Sequence, residues 1–336
     1  MARYVRWELR ELTEEHRAAF FDSLQTLYNL DTIAGKATYG SKYTSMQSLV
    51  EKHLLGAADK ECDHWHDDAG ILTHHMAFTL EAEQSLQAVN SALSIPYWDY
   101  TIDEHRYEDW VDSPIFGDDW FGQGNPDAQE GGKHILNTGR WAYTSVIRKE
   151  GANGDRTHNP YGLLRSPWNT NPTPYLLRSR FTLGAKDAYF KIPGCKQFHS
   201  AFSDDLASML AAINGLLHGP VHIMVGGHWH SESTYYHLPA EIEQVGRLIS
   251  DGVRTDISGF LLQSKFLWRQ GLVRCPEMCG ADTAGDMCTC SCMEMAEELG
   301  FKNVSSLVRE RGGTDFNFIK TMFSVLEDPD LNFTPM

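Results

Sequence analysis

The sequence predicts a mainly α-helical protein, and two observations lead to this prediction. Apolar side chains recur at helical spacing in several separate segments of the chain. The residues that favour turns, Gly, Pro, Asn and Asp, are concentrated between positions 101 and 200, so long loops are expected there beside a helical core. Aromatic side chains within these loops favour ordered loops over a flexible linker.

Three helices are predicted in the first hundred residues. Residues 13–30 carry an apolar stripe that includes Phe20, and Thr13 is a suitable N-cap for this helix. A second helix is expected over about 45–55 and a third over about 71–89, because both segments place apolar residues on one helical face.

Two further helices are predicted in the second half of the chain. The stretch 206–231 contains no Asp, Glu, Lys or Arg, but Asn214 and Pro220 interrupt it, which disfavours a membrane span. A buried helix from about 202 to 218 or beyond accounts for this stretch better. Another helix is expected over about 258–272.

The composition excludes several classes of function. The 336 residues include 29 Lys and Arg against 45 Asp and Glu, a net charge of −16, so neither a nucleic acid nor an anionic membrane surface is expected as a partner. No apolar run is long enough for a transmembrane helix. The first residues are charged every few positions, so no secretory signal and a cytoplasmic location are expected.

Histidine is distributed unevenly along the chain. Ten of the 15 histidines lie in two windows, 53–75 and 218–237. Such clustering indicates metal ligation, because imidazole is a common metal ligand and is costly to bury without a partner. Within the second window, His218 and His222 are four residues apart, which places both rings on one face of a helix.

The two windows carry motifs that resemble a known family. His66 and His75 are nine residues apart and are followed by Glu83, Leu86 and the run Ile95-Pro96-Tyr97-Trp98-Asp99-Tyr100, whereas His218 and His222 precede Gly226-Gly227. This arrangement resembles the two copper-binding segments of the tyrosinase/hemocyanin family of type-3 copper proteins, over residues 3–270. The resemblance implies an antiparallel four-helix bundle with two metal positions at its centre.

The resemblance also implies a ligand set. The first metal position would take His53, His66 and His75, with His64 as an alternative to His66 because Cys62-Asp63-His64 is similar to the Cys-x-His motif of some family members. The alternative without a metal is that these are hydrogen-bonded core histidines.

The second metal position would take His218, His222 and a third histidine that this chain does not supply. Leu262 or Gln263 stands where the family has that ligand, and no histidine follows His237. The remaining histidines of the second window are expected to be surface loop residues.

The missing ligand bears on the chemistry that we expect. Oxygen binding between two coppers requires three imidazoles on each, whereas one three-histidine site with an open position is typical of catalytic zinc. A zinc-containing branch of the family, the fungal cyclopenases, converts cyclopenin to viridicatin in quinolone alkaloid biosynthesis, and this chain is similar to it in length. The resemblance then implies a zinc-dependent lyase of secondary metabolism that acts on an aromatic heterocycle, with His218 and His222 as proton-transfer groups.

Two other functions remain open from the sequence. The first is a dicopper phenol oxidase of the tyrosinase or catechol oxidase type, with Cu²⁺ in place of Zn²⁺. The second is a hemocyanin-like protein that binds oxygen or metal without catalysis. The metal content of the purified protein distinguishes the first of these from the zinc lyase.

Five cysteines are concentrated near the C-terminal end of the sequence: Cys275, Cys279, Cys288, Cys290 and Cys292. Their spacing is compatible with a structural zinc site or with disulfides, and we leave both open. On this basis we expect a helical domain over 1–272 and a Cys-rich segment and tail over 273–336 that pack on the same domain.

Overall fold

The computed structural model describes residues 4–57, 63–66, 69–126, 134–147, 173–180, 192–202 and 205–226. The described part is mainly helical: it has two isolated β-bridges and no strand, which confirms the expected class. No helix in these ranges has both the length and the apolar character needed to cross a membrane.

The first helices begin and end close to the residues that the sequence predicts. Helix α1 spans Glu14–Asn29, and the hydroxyl of Thr13 accepts a hydrogen bond from the backbone N–H of His16 at 3.2 Å, as an N-cap does. Helix α2 spans Thr32–Tyr39. Helix α3 spans Met46–Ala57 and helix α4 spans Gly70–Val89.

Helix α1 packs against both α3 and α4. Phe21 and Leu27 of α1 are almost completely buried in the core. Tyr43, between α2 and α3, is fully buried, and its hydroxyl donates to the carbonyls of Thr26 and Leu30 at 3.1 and 2.8 Å. These bonds tie the start of α3 to the end of α1.

Ion pairs attach the N-terminal segment to α4 and to the segment that follows it. The carboxylate of Glu83, on α4, accepts from Nε of Arg6 at 2.8 Å and from the backbone N–H of Ile95 at 3.0 Å. Arg10 binds Asp103, which lies on helix α5 (Tyr100–Arg106), at 2.7 Å. Helix α4, which carries His75, is therefore fixed at its C-terminal half.

Three α-helices follow residue 190 in the described ranges, and the last two are joined end to end. Helix α6 spans Cys195–Ala201, with a free and exposed thiol at Cys195. Helix α7 spans Leu206–Ala212 and leads through a π-helical segment, Ile213–His218, into helix α8, Gly219–Val225. The long helix begins four residues later than expected because the Asp205 carboxylate caps it, accepting from the Ser208 N–H at 2.8 Å.

The chain divides into two compact units. The first contains α1–α8 and comprises Met1–Pro126, Ile135–Thr144 and Phe190–Val225. In the second, the described segments are joined by backbone hydrogen bonds, from Val146 N–H to Pro174 at 2.7 Å and from Arg178 N–H to His134 at 2.9 Å.

Several expectations concern residues beyond the described ranges. The helix over 258–272, the tail over 273–336 and the five clustered cysteines lie there. The antiparallel arrangement of four helices around a central site stays a prediction, as do the two sequence-based domains.

Candidate metal centre

Three histidines from different parts of the chain meet in the first unit. His53 lies on α3, His66 in the turn 63–66, and His75 on α4. One ring nitrogen from each lies within 4.8 Å of the other two, and all three side chains are partly buried. In a tetrahedral site such nitrogens are about 3.4 Å apart, so shifts of roughly 1 Å would bring all three to one ion.

A buried tryptophan next to this cluster holds the turn against both helices. Trp65 is 7% exposed, and its ring centroid lies 5.0 Å from that of His53 and 5.6 Å from that of His75. The turn approaches the two helices closely at glycines: a Cβ on Gly56 would overlap the Trp65 ring, and one on Gly70 would lie 2.6 Å from the carbonyl oxygen of His64. These glycines let the turn that carries His66 lie between α3 and α4.

The turn also contains a buried carboxylate. Asp63 is fully buried, and its Oδ2 lies 2.8 Å from Nδ1 of His66. Sequence reasoning treated Asp63 only as part of a Cys-x-His-like motif. Its position three residues before His66, within a turn, is the signal that would have identified it.

Two more histidines lie beside the three-histidine cluster. The ring centroid of His218 is 5.4 Å from that of His66 and 5.5 Å from that of His75, and His222 is 4.3 Å from His218. The side chain of His222 is more exposed than that of His218. The structure thus brings all five predicted ligands into one region, and their binding of a metal stays a prediction.

The π-helical segment before His218 is fixed at two points. The Asn214 side-chain amide donates to the carbonyl of His66 at 3.0 Å, and the hydroxyl of Tyr100 donates to the carbonyl of Leu217 at 3.0 Å. π-Helical segments are rare and are frequent at functional sites. Asn214 therefore links the helix that carries His218 directly to the turn that carries His66.

The surroundings of His75, His218 and His222 favour the neutral form of these three rings. Burial, followed by the neighbouring ring of His66, lowers the pKa of His75. Burial and the proximity of His222 lower the pKa of His218 to about 3. The many protein atoms around His222, followed by the nearby rings of His66 and His75, lower its pKa as well, although part of this residue is exposed. Neutral imidazole is the form that binds metals.

An apolar cavity lies against the other side of the π-helical segment. Its volume is about 210 Å³, and Tyr100, Phe198, Met209, Leu217 and His218 are among the residues that line it. The rings of Tyr100 and Phe198 are 5.6 Å apart. This cavity offers an apolar aromatic surface within reach of one of the five histidines.

The remaining sequence-predicted residues fall into two groups. His64 is exposed and is not part of the three-histidine cluster, although its backbone N–H donates to the Gly56 carbonyl at 3.2 Å. The second-window histidines 228, 230 and 237, together with Leu262 and Gln263, lie outside the described residues. The positions that the sequence relates to a third ligand at the second metal position are therefore not described.

Comparisons with known proteins agree with the histidine geometry. The common central domain of tyrosinase matches residues 40–236. Grixazone synthase of Streptomyces griseus is 28% identical over 184 residues, which cover 48% of this chain and 57% of that protein. Hemocyanin 2 of Megathura crenulata is 30% identical over 128 residues, 34% of this chain and 3% of its own length.

A longer but more distant match extends this comparison. Tyrosinase of Streptomyces antibioticus is 24% identical over 228 residues, 66% of this chain and 72% of that enzyme. The chain thus spans little more than half of grixazone synthase and a small part of the hemocyanin. Because the tyrosinase domain matches more than half of the 336 residues, the chain belongs to the tyrosinase/hemocyanin family.

Proposed function

We propose that this protein is a copper-dependent oxidase of a small phenolic molecule. The observation that carries the proposal is the group of five imidazoles, three within 4.8 Å of one another and two beside them, inside a tyrosinase-family domain. Membership of this family favours copper chemistry over the zinc lyase that the missing ligand led us to expect.

The donor set fits copper. Imidazole nitrogen suits both copper and zinc, and the lowered pKa values of His75 and His218 keep those rings neutral at physiological pH. The Nδ1 atoms of both rings are buried without a hydrogen-bond partner, which is costly unless a ligand compensates. Copper at His53, His66 and His75, and at His218 and His222 with a third ligand from outside the described residues, would supply oxygen binding and accept the electrons that phenol oxidation releases.

The protein's own contribution is to hold these groups in a fixed position away from bulk water. Trp65 covers His53 and His75 on one side, and Asn214 joins His218 to the turn of His66. Rings held in this way need little reorganisation when a metal or a substrate binds.

The size of the cavity beside His218 supports a one-ring substrate. A dry cavity of about 150 Å³ holds benzene, so the 210 Å³ here suits a phenol or catechol. A fused heterocycle of the kind that the zinc lyase requires would have to extend out of this cavity.

A zinc-dependent lyase is the second candidate, and one observation favours it. The sequence has Leu262 or Gln263 where the family places the sixth histidine, and no histidine follows His237. In that case His53, His66 and His75 would hold a Lewis-acidic zinc, and His218 and His222 would transfer protons in the reaction.

Metal analysis combined with oxygen uptake distinguishes these functions. Protein from unsupplemented medium is assayed for copper and zinc per chain, and oxygen consumption with catechol is measured after copper loading. The oxidase predicts bound copper and oxygen uptake that His75→Ala abolishes. His74→Ala is the matched control, because His74 is exposed and lies outside the cluster.

One zinc per chain and no oxygen uptake after copper loading would contradict the oxidase. The lyase then predicts that His222→Ala keeps its zinc and loses turnover, whereas loss of the ion would assign His222 to metal binding.

A further inference from the structure

The Asp63 carboxylate is placed to act on His66 rather than on a metal. It is 0% exposed, and both of its oxygens face Nδ1 of His66, at 2.8 and 3.0 Å. Oδ1 also accepts from the backbone N–H groups of Trp65 and His66, at 3.0 and 3.1 Å. The carboxylate is thus held in place by its own turn while it contacts the ring.

This contact determines which nitrogen of His66 carries the proton. A carboxylate only accepts hydrogen bonds, so the hydrogen at the 2.8 Å contact is on Nδ1. Nε2 of the neutral ring then carries the lone pair and is the atom that can bind a metal. The chain thereby selects one tautomer of His66.

Neither His75 nor His218 has a comparable contact at Nδ1. In both rings the Nδ1 atom is buried without a hydrogen-bond partner. His66 is therefore distinguished from these two neighbours by a carboxylate at its Nδ1. Such a carboxylate raises the basicity of a ligating imidazole, and its removal typically costs about 10- to 100-fold in metal affinity.

We infer that Asp63 is a positioning residue that fixes the tautomer of His66 and makes the three-histidine site favour divalent ions over Cu⁺. The negative charge interacts more strongly with Zn²⁺ or Cu²⁺ than with Cu⁺, because the Coulomb energy is proportional to the charge of the ion. The inference rests on the proposed function only in requiring that His53, His66 and His75 bind a metal.

Asp63→Asn tests the effect of the charge. Asparagine keeps the size of the side chain and removes the charge. With its carbonyl oxygen in the place of Oδ1, it still accepts from Nδ1 and from the two backbone N–H groups. Affinities for Zn²⁺, Cu²⁺ and Cu⁺ are measured by chelator competition at one pH. We expect the two divalent affinities to fall about 10- to 100-fold. The Cu⁺ affinity should fall only about 3- to 10-fold, because half the ionic charge halves the change in binding free energy. The Cu²⁺/Cu⁺ potential would then rise by about 59 mV for each tenfold change in their ratio.

Asp103→Asn is the matched control. Asp103 is equally buried, but it contacts Arg10 and Trp98 instead of a histidine. The Asp103→Asn variant should be less stable than the wild type, with an unchanged ratio of the divalent affinities to the Cu⁺ affinity. An equal loss for all three ions in Asp63→Asn, or unchanged affinities, would overturn the inference.

A second measurement does not depend on bound metal. Long-range ¹H–¹⁵N NMR of the metal-free protein reports which ring nitrogen is protonated, and the inference requires Nδ1–H in His66. An Nε2–H tautomer would refute it even if the protein proved to be an oxidase. Failure to oxidise catechol would refute the proposed function but leave the tautomer and the affinity ratios as tests of Asp63. A wild-type protein that bound none of the three ions would overturn both.

Discussion

Replacing Gly56 with alanine tests the packing that presents His66 to the cluster. An added Cβ would overlap Nε1 and Cδ1 of Trp65 and would lie 3.3 Å from its Cε2. Trp65 cannot avoid this overlap easily, because it is 7% exposed and lies against His53, His75 and Phe78. The indole ring must move, and with it the turn that carries His66.

The expected loss of stability follows from two opposing effects. Overpacking of a buried site costs about 1–3 kcal/mol. Alanine in a helix is favoured over glycine by at most about 1 kcal/mol, and Gly56 is one residue from the end of α3. The net change in the free energy of unfolding is therefore a loss of about 0–3 kcal/mol, or a fall in Tm of up to roughly 12 °C. The affinity for zinc should also fall, and its loss in binding free energy should exceed the loss in stability, since all three ligands depend on the position of Trp65.

Thermal unfolding with and without zinc, together with chelator competition, measures both effects. Gly215→Ala is the matched control, because a Cβ at Gly215 would meet no atom within 4 Å. It should keep the wild-type affinity for zinc. If Gly56→Ala bound zinc as tightly as the wild type, the close approach of Trp65 to α3 would not support the cluster and the reasoning would be wrong.

Two further predictions concern stability. Glu83→Ala should cost about 1–3 kcal/mol, because it leaves the N–H of Ile95 without its acceptor, whereas Arg6→Ala should cost less than about 1 kcal/mol since the Arg6 side chain is 44% exposed. Urea unfolding of both variants checks this, and equal losses would contradict it. The pKa of His218 is lowered to about 3, so between about pH 6.5 and 3 the unfolded chain binds the extra proton and the metal-free protein loses about 1.4 kcal/mol per pH unit through this group. The stability of His218→Gln should therefore decline less than that of the wild type between pH 7 and 5, and parallel declines would show that His218 is not buried in this way.

The sequence predicts the helices that have a clear apolar stripe and a cap. Helix α1 with Thr13 before it, α3 and α4 all lie within about two residues of the expected bounds. Helices α2 and α5 were not predicted, because α2 is eight residues long with Gly35 inside it and α5 follows Pro96 closely. Short helices of this kind depend on tertiary packing more than on local pattern.

At the site, sequence spacing identifies which histidines meet but not how they are held. The sequence shows the spacings directly: His66 and His75 are nine residues apart, and His218 and His222 are four apart. The contact between Asn214 and His66 joins residues 148 positions apart, and no local pattern predicts it. A π-helical segment is similarly invisible to a search for helical periodicity, because it changes the period itself.

In the π-helical segment Ile213–His218, the number of residues matters as much as which residues they are. Its wider turn accommodates one residue more than an α-helix would, and each residue turns an α-helix by about 100°. Deletion of one residue here would let α7 and α8 merge into a regular helix and would rotate His222 by about that angle relative to α7. One insertion or deletion in this segment would thus change the direction of the His218 and His222 rings, without substituting either histidine. Relatives that differ in length between Ile213 and His218 are therefore where a changed second metal position is to be expected.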